Sequence, residues 1–138
     1  MTDPIRLLLA DDQQMVRAGF RLVLDAQPDM SVVGEANDGA EALQLVDELA
    51  PDVVLMDIRM PVLDGLGATE KIMTSHPEAK ILVLTTFDLD EYVHSALRAG
   101  ASGFMLKDAG PTELLAAIRA VRDGDSVVAP SATRRLIE

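Results

Sequence analysis

Val53-Val54-Leu55-Met56-Asp57-Ile58-Arg59-Met60-Pro61 is the stretch that decides the fold. Four consecutive apolar residues leave no polar face, so the segment reads as a strand buried on both sides. Asp57 closes the run, and Asp64-Gly65 follows shortly after. A second apolar run, residues 5–10, is closed in the same way by Asp11 and Asp12. Two buried strands thus each deliver acid at the C-terminal end, where open α/β sheets place their binding sites. Clustered carboxylates repel one another unless a cation joins them, so the pattern asks for a partner charge.

Outward from this stretch, strand and helix signals alternate. After the strand at 5–10, Val16, Phe20, Val23 and Leu24 recur at helical spacing. Residues 31–36 read as a second strand, closed by Asn37-Asp38-Gly39, a turn and helix-start signal. Ala42, Val46 and Leu49 then make one helical face, stopped by Pro51. A helix is expected at 65–75, weakened by Gly67, and a fourth strand at 81–84. Val93, Ala96 and Leu97 line the next helix, which Gly100 can terminate. A fifth strand spans 102–106, and Pro111 opens a last helix with Leu114, Ile118 and Val121 inward. Continuous apolar strands alternating with amphipathic helices predict a parallel sheet covered on both faces. Right-handed crossovers then leave a doubly wound (βα)5 sheet, flavodoxin-like, with strand order 2-1-3-4-5.

The chain of 138 residues suffices for one domain with a real core, and its 49% apolar content argues against disorder. A net charge of −11 would repel a phosphate backbone, so this chain is not expected to touch nucleic acid itself. The absence of cysteine removes disulfides and thiolate metal sites and fits a reducing compartment. Leu7-Leu8-Leu9-Ala10 is too short for a signal-peptide core, and no apolar stretch approaches the roughly 20 residues that span a membrane. A soluble cytoplasmic domain is the expectation. Residues 1–124 form that domain. After Gly124, residues 125–138 read as a linker and the start of a helix at 132–138, leading to a further C-terminal domain.

With this strand order, Asp57 lies on the central strand and Asp11 and Asp12 on its neighbour, roughly 5 Å away. Thr85 ends the neighbouring strand on the other side. Lys107 follows the fifth strand, about 10 Å from Asp57 across the sheet, within partial reach of its long side chain. Three carboxylates without Cys or His make a hard-oxygen site of the kind that suits Mg2+. His76 and His94 fall on helices away from the strand tips and read as surface or packing residues. A divalent ion, an ammonium and a hydroxyl around one carboxylate can stabilise charge on a transferring phosphoryl group, with Asp57 as nucleophile. Each residue alone has a plainer explanation. Asp11-Asp12 could be a helix cap, Lys107 a solvated charge and Thr85 a strand terminus. The joint placement at four strand ends carries the functional reading.

Asp11-Asp12, Asp57 to Pro61, Asp64-Gly65, Thr85 and Lys107 stand in an order and spacing that resemble a response-regulator receiver domain over about residues 4–124. Leu84-Thr85-Thr86-Phe87-Asp88, Lys107-Asp108-Ala109 and Val127-Val128-Ala129-Pro130 resemble its NarL/FixJ branch, whose members carry a LuxR-type helix-turn-helix domain beyond the linker. The resemblance implies a signalling domain rather than an enzyme, one that catalyses only its own phosphorylation and dephosphorylation. Asp57 would accept phosphate from a histidine kinase. Asp12, Asp57 and the backbone carbonyl of Arg59 would hold Mg2+, or Mn2+ in its place, with Asp11 acting through water. Lys107 would contact the phosphoryl oxygens, Thr85 would swing towards them, and Phe104 would stand where the family has its switch aromatic. DNA would be bound through the further domain.

Three positions depart from the family's commonest pattern. Asp108 follows the lysine where proline, often with a cis bond, is frequent. Thr86 follows the switch threonine where a small residue is common. Arg59 stands two after the acceptor. Arg59 and Thr86 are expected to tune the phosphate lifetime. Pairing of two copies, strengthened by phosphorylation, is expected; Leu89, Tyr92, Val93 and Leu97 would leave part of the fourth helix exposed for it, although most such residues are simply core, and the sequence does not identify the pairing face. A stand-alone receiver without DNA-binding output and a phosphorylation-independent pseudo-receiver are the alternatives. A phosphatase of the haloacid-dehalogenase type would need Asp-x-Asp after the first strand, where Asp11-Asp12-Gln13-Gln14 stands. A flavodoxin-like cofactor binder would need a Ser/Thr/Gly-rich loop at the same place.

Overall fold

The strand and helix signals resolve into β1 (Ile5–Ala10), α1 (Gln14–Asp25), β2 (Met30–Ala36), α2 (Gly39–Leu49), β3 (Val53–Asp57), α3 (Gly65–Ser75), β4 (Ile81–Thr85), α4 (Asp90–Arg98), β5 (Gly103–Leu106), α5 (Pro111–Arg122) and β6 (Val127–Val128). The computed structural model describes residues 3–86, 90–125 and 127–128. The strands lie in the order β2-β1-β3-β4-β5-β6, every neighbouring pair parallel. The expected 2-1-3-4-5 sheet is therefore present. β6 is an addition to it. Val127 and Val128, read above as linker, pair with Gly103 and Phe104. Without them β5 would be a bare edge of unpaired backbone groups, which a short β-branched segment can cover. The helix expected at 132–138 lies outside the described residues.

Strand alternation sorts the core into two layers. Leu8, Val54, Met56, Val83 and Phe104 face α2, α3 and α4, meeting Ala42, Val46, Ala68, Ile72, Val93 and Ala96. Leu7, Leu9, Leu55, Leu84 and Met105 face α1 and α5, meeting Leu24, Leu114, Ile118 and Val121. The helix ends are set by local chemistry. The Asp38 carboxylate accepts from the Glu41 N–H at 2.8 Å, capping α2, and Asp64 accepts from the Gly67 N–H at 2.7 Å, capping α3. Gly100, at φ +104°, ends α4 as expected.

On α4 the residues expected to line the helix lie with the core. Val93 is fully buried, because with Ala96 it packs towards the layer that holds Phe104, and Leu97 is partly buried against the same layer. Leu89 and the side chain of Tyr92 lie outside the described residues. Exposed large apolar residues stand elsewhere: Met15 and Leu22 on α1, and Val62 in the β3–α3 loop.

Gly65 is the closest junction of the fold. A Cβ there would lie 1.9 Å from the Asp57 carbonyl oxygen and 2.8 Å from its carbon. The Gly65 N–H donates to the Ile58 carbonyl at 2.8 Å, so α3 begins directly against the end of β3. Gly65→Ala must push α3 off the strand, an overpacking cost of about 1–3 kcal/mol. Urea unfolding checks this. An unchanged midpoint would mean that the junction yields without cost.

Candidate functional site

The β1–β3 register pairs Ala10 with Met56, so the residues that follow, Asp11 and Asp57, leave adjacent strand ends side by side. Leu9, Leu55 and Met105 face the α1/α5 layer. Alternation sends Asp11, Asp57 and Lys107, two residues further on, to that same side. The three meet there. Lys107 Nζ donates to Asp11 Oδ2 at 2.6 Å and stands 3.3 Å from Asp57 Oδ2. Asp11 and Asp57 are buried, Asp12 is exposed, and carboxylate oxygens of all three lie within 4.8 Å of one another. The residues present fit a hard divalent cation, with three oxygen donors converging and no sulfur or imidazole among them.

Thr85 and Phe104 belong to the other face. Val83 and Phe104 are register partners in the α2/α3/α4 layer, and alternation places Thr85 on the same side as Val83. Both Thr85 and Phe104 are buried. The Thr85 carbonyl accepts from the Lys107 N–H at 2.8 Å, which ties the end of β4 to the lysine. Arg59, Thr86 and Asp108 are exposed at the loops around the site. No cis peptide bond occurs among the described residues, so the Lys107–Asp108 bond is trans. A cleft of about 520 Å³ beside Asp12 is lined by Ile58, Arg59, Met60, Pro61, Asp64 and Leu66. His76 is remote from this cluster, paired with Asp47 and 3.6 Å from Glu78, and His94 is exposed.

The loop from β3 to α3 is held under strain. The Leu63 N–H donates to the Pro61 carbonyl at 2.8 Å, closing a three-residue turn around Val62 at φ +70°. A β-branched residue rarely adopts that conformation. The Leu63 carbonyl in turn accepts from the Gly39 N–H at 2.9 Å, and a Cβ on Gly39 would sit 2.1 Å from that oxygen. The start of α2 thus clamps the loop. Sequence reasoning missed this role of Gly39, and it missed Arg17. Arg17 is buried on α1 and contacts Glu35 and the Asp11 carbonyl. Its visible signal was a charged residue at the spacing of Phe20 and Leu24, on the face that points inward.

Burial pushes the Asp57 carboxyl above its usual range, with the Lys107 charge opposing and the Asp11 charge adding to the rise. Burial disfavours the Lys107 ammonium, yet its hydrogen bond to Asp11 and the charge of Asp57 hold its pKa above the ordinary value. A carboxyl whose pKa is raised by folding binds its proton more tightly in the native state. Its ionisation costs stability as pH rises from the unfolded value, about 3.9, through the folded one. With metal chelated, Asp57→Asn should therefore raise Tm at pH 7, by about 2–6 °C, with the gain fading towards pH 4. Thermal unfolding across pH checks this. An equal or lower Tm at pH 7 would show that Lys107 fully offsets the burial.

The response regulator receiver domain family model matches residues 7–119. The chain is 51% identical over 125 residues to the uncharacterized transcriptional regulatory protein YxjL of Bacillus subtilis, covering 91% of this chain and 57% of YxjL. Its structure is similar to that of a LuxR-family two-component response regulator from Aurantimonas, at TM-score 0.93 and 35% identity, over 98% of this chain and 96% of that one. It also resembles the receiver domain of the response regulator NarL from Mycobacterium tuberculosis, at TM-score 0.86 and 35% identity, over 89% of this chain and 99% of that one. The chain spans little more than half the length of YxjL. A match over most of the chain, joined to the acid-and-lysine cluster at the strand tips, places this protein in the response-regulator receiver-domain family, among its NarL/LuxR-type members.

Proposed function

We propose that Asp57 is the phosphoacceptor of a two-component signalling pathway, charged by a sensor histidine kinase in the cytoplasm. The observation that carries this reading is the Lys107 ammonium held between the Asp11 and Asp57 carboxylates, beside the exposed carboxylate of Asp12. An oxygen of Asp57 bonds to phosphorus as the bond from phosphorus to the donor's imidazole nitrogen breaks. The product is an aspartyl phosphate. Lys107 Nζ lies 3.3 Å from Asp57 Oδ2 and so stands ready to neutralise the transferred group. Asp12, Asp57 and the Arg59 carbonyl would hold Mg2+, with Asp11 assisting from beside them. Bound Mg2+ offsets the negative charge that three carboxylates and a phosphoryl group bring together.

Phosphorylation adds about −1.5 to −2 charges and strong acceptor oxygens. Thr85 moves towards them, and Phe104, which packs on the same face, passes the change to α4 and β5. Two copies then pair more tightly, and a further domain carries DNA binding. The acidity of this chain, net −11, makes it an unsuitable DNA contact by itself. No helix among the described residues is long and apolar enough to cross a membrane.

Intact mass after incubation with acetyl phosphate, with and without Mg2+, tests the acceptor. One Mg2+-dependent phosphoryl addition is expected, lost in Asp57→Ala, and sedimentation of the same samples should show a larger mass only when phosphorylated. No addition under any condition would mark a pseudo-receiver, and an unchanged mass on sedimentation would remove the pairing. Arg59 and Thr86, exposed at the mouth of the site, are proposed to set the phosphate lifetime. Arg59→Ala and Thr86→Ala should each change the dephosphorylation rate several-fold, on the scale of lost transition-state contacts. Unaltered decay in both variants would end that assignment.

A further inference from the structure

Among the described residues, the buried charged side chains are Asp11, Asp57 and Arg17. The first two belong to the proposed phosphorylation site, and Arg17 touches that site from behind. Its Nη1 donates to the Asp11 carbonyl, and its Nε donates to Glu35 Oε1 at 3.0 Å. Glu35 lies on β2, in register with Leu9. Its second oxygen accepts from Arg21 Nη1 at 2.6 Å, so Glu35 is held between two guanidiniums one turn apart on α1. Arg17 and Asp57 also line the same small cleft between α1 and the sheet, with Phe20 and Leu84.

Every polar group of Asp11 is thereby held. Its N–H donates to the Ala36 carbonyl at 3.1 Å. Its Oδ1 accepts from the Gln13 N–H at 2.9 Å, and its Oδ2 accepts from Lys107 at 2.6 Å. Its carbonyl takes Arg17. A peptide group is planar, so the Asp11 carbonyl and the Asp12 N–H turn together. Holding that carbonyl sets the direction in which the Asp12 carboxylate leaves the end of β1.

We propose that Arg17 is a positioning residue for the divalent-cation site: from α1 it locks the Asp11–Asp12 peptide and thereby aims Asp12, while Glu35 fixes Arg17. The inference rests on the reading above that these carboxylates hold a divalent cation. It can be told apart from a simple charge effect by sign. A guanidinium near the site repels Mg2+, so if Arg17 acted only through its charge, removing it would tighten Mg2+ binding. If it acts by positioning, removing it loosens binding, as outer-layer partners of metal ligands commonly do by about 10–100-fold.

The test is Mg2+ titration by calorimetry of the unphosphorylated chain, for the native protein, Arg17→Met, Arg17→Lys and Glu35→Gln. The same variants are then phosphorylated with acetyl phosphate over a range of Mg2+ concentrations. Arg17→Lys keeps the charge but cannot span Asp11 and Glu35 together. Glu35→Gln keeps Arg17 and guards against misfolding of the Arg17 variants. Weaker Mg2+ binding by about 10-fold or more in Arg17→Met is expected, with smaller losses in the other two. Phosphorylation at saturating Mg2+ should stay within about 3-fold of native, a loss confined to metal affinity rather than to the chemical step. Tighter or unchanged Mg2+ binding in the folded variants would overturn the proposal. A native chain that binds Mg2+ but takes no phosphate would remove the phosphoacceptor reading and leave the Arg17 comparison intact. A native chain that binds no Mg2+ would remove both.

Discussion

The ammonium of Lys107, 2.6 Å from Asp11 and 3.3 Å from Asp57, is the interaction on which the rest of the site depends. Two buried carboxylates placed side by side would each lose hydration and repel the other, and a cation between them offsets both effects. The offset is incomplete. Burial still leaves the Asp57 carboxyl raised above its ordinary range, and a further cation beside it would lower it. Stability and function oppose each other here. The residue that would do the chemistry is also one the fold holds at a cost, as is common where pKa values are shifted by burial.

Three rigid supports keep that cluster in place, and each comes from a different element. From α3, Gly65 lets the helix begin against the Asp57 carbonyl of β3, closer than any side chain would allow. From α2, Gly39 clamps the Leu63 carbonyl and holds the loop around Val62 in a turn its backbone would not choose. From α1, Arg17 holds the Asp11 carbonyl against Glu35. Such supports matter because a ligand set is useful only when its donors are fixed before the ligand arrives. The strain at Val62 sits in the loop that carries Arg59 and Asp64 beside the candidate site.

The sheet divides the residues of the candidate site between its two faces. Asp11, Asp57 and Lys107 leave the strand ends on the α1/α5 side, while Thr85 and Phe104 belong to the α2/α3/α4 side. The backbone bond from the Lys107 N–H to the Thr85 carbonyl joins the two. In the proposed function, a change of charge on one face would be answered by packing on the other across the β4–β5 pair. Phe104 is fully buried, so a response there would require repacking against Val93 and Ala96 rather than a free swing of the ring.

Much of this was legible in the chain itself. Unbroken apolar runs such as 53–56 and 81–84 have no polar face, so they had to be strands buried on both sides, and parallel order followed from the helices between them. Acid at the ends of two such strands, with Thr85 and Lys107 at the ends of two more, pointed to the candidate site, because strand ends in a parallel sheet share one edge. What the sequence could not decide were the contacts set by distances between segments far apart in the chain. The spacing of Arg17 with Phe20 and Leu24 points it inward, but only β2 brings Glu35 beside it. Spacing alone lets Val93 belong to the core or to an outer face, and β5 decides for the core by bringing Phe104 into its layer. Residues 127–128 read as linker because two residues are too short to signal a strand, and only the open edge of β5 made them one. Local pattern determines which elements form and which ends carry charge. Tertiary packing decides which charges are buried, paired and aimed, because those outcomes depend on ångström-scale approaches that no periodicity encodes.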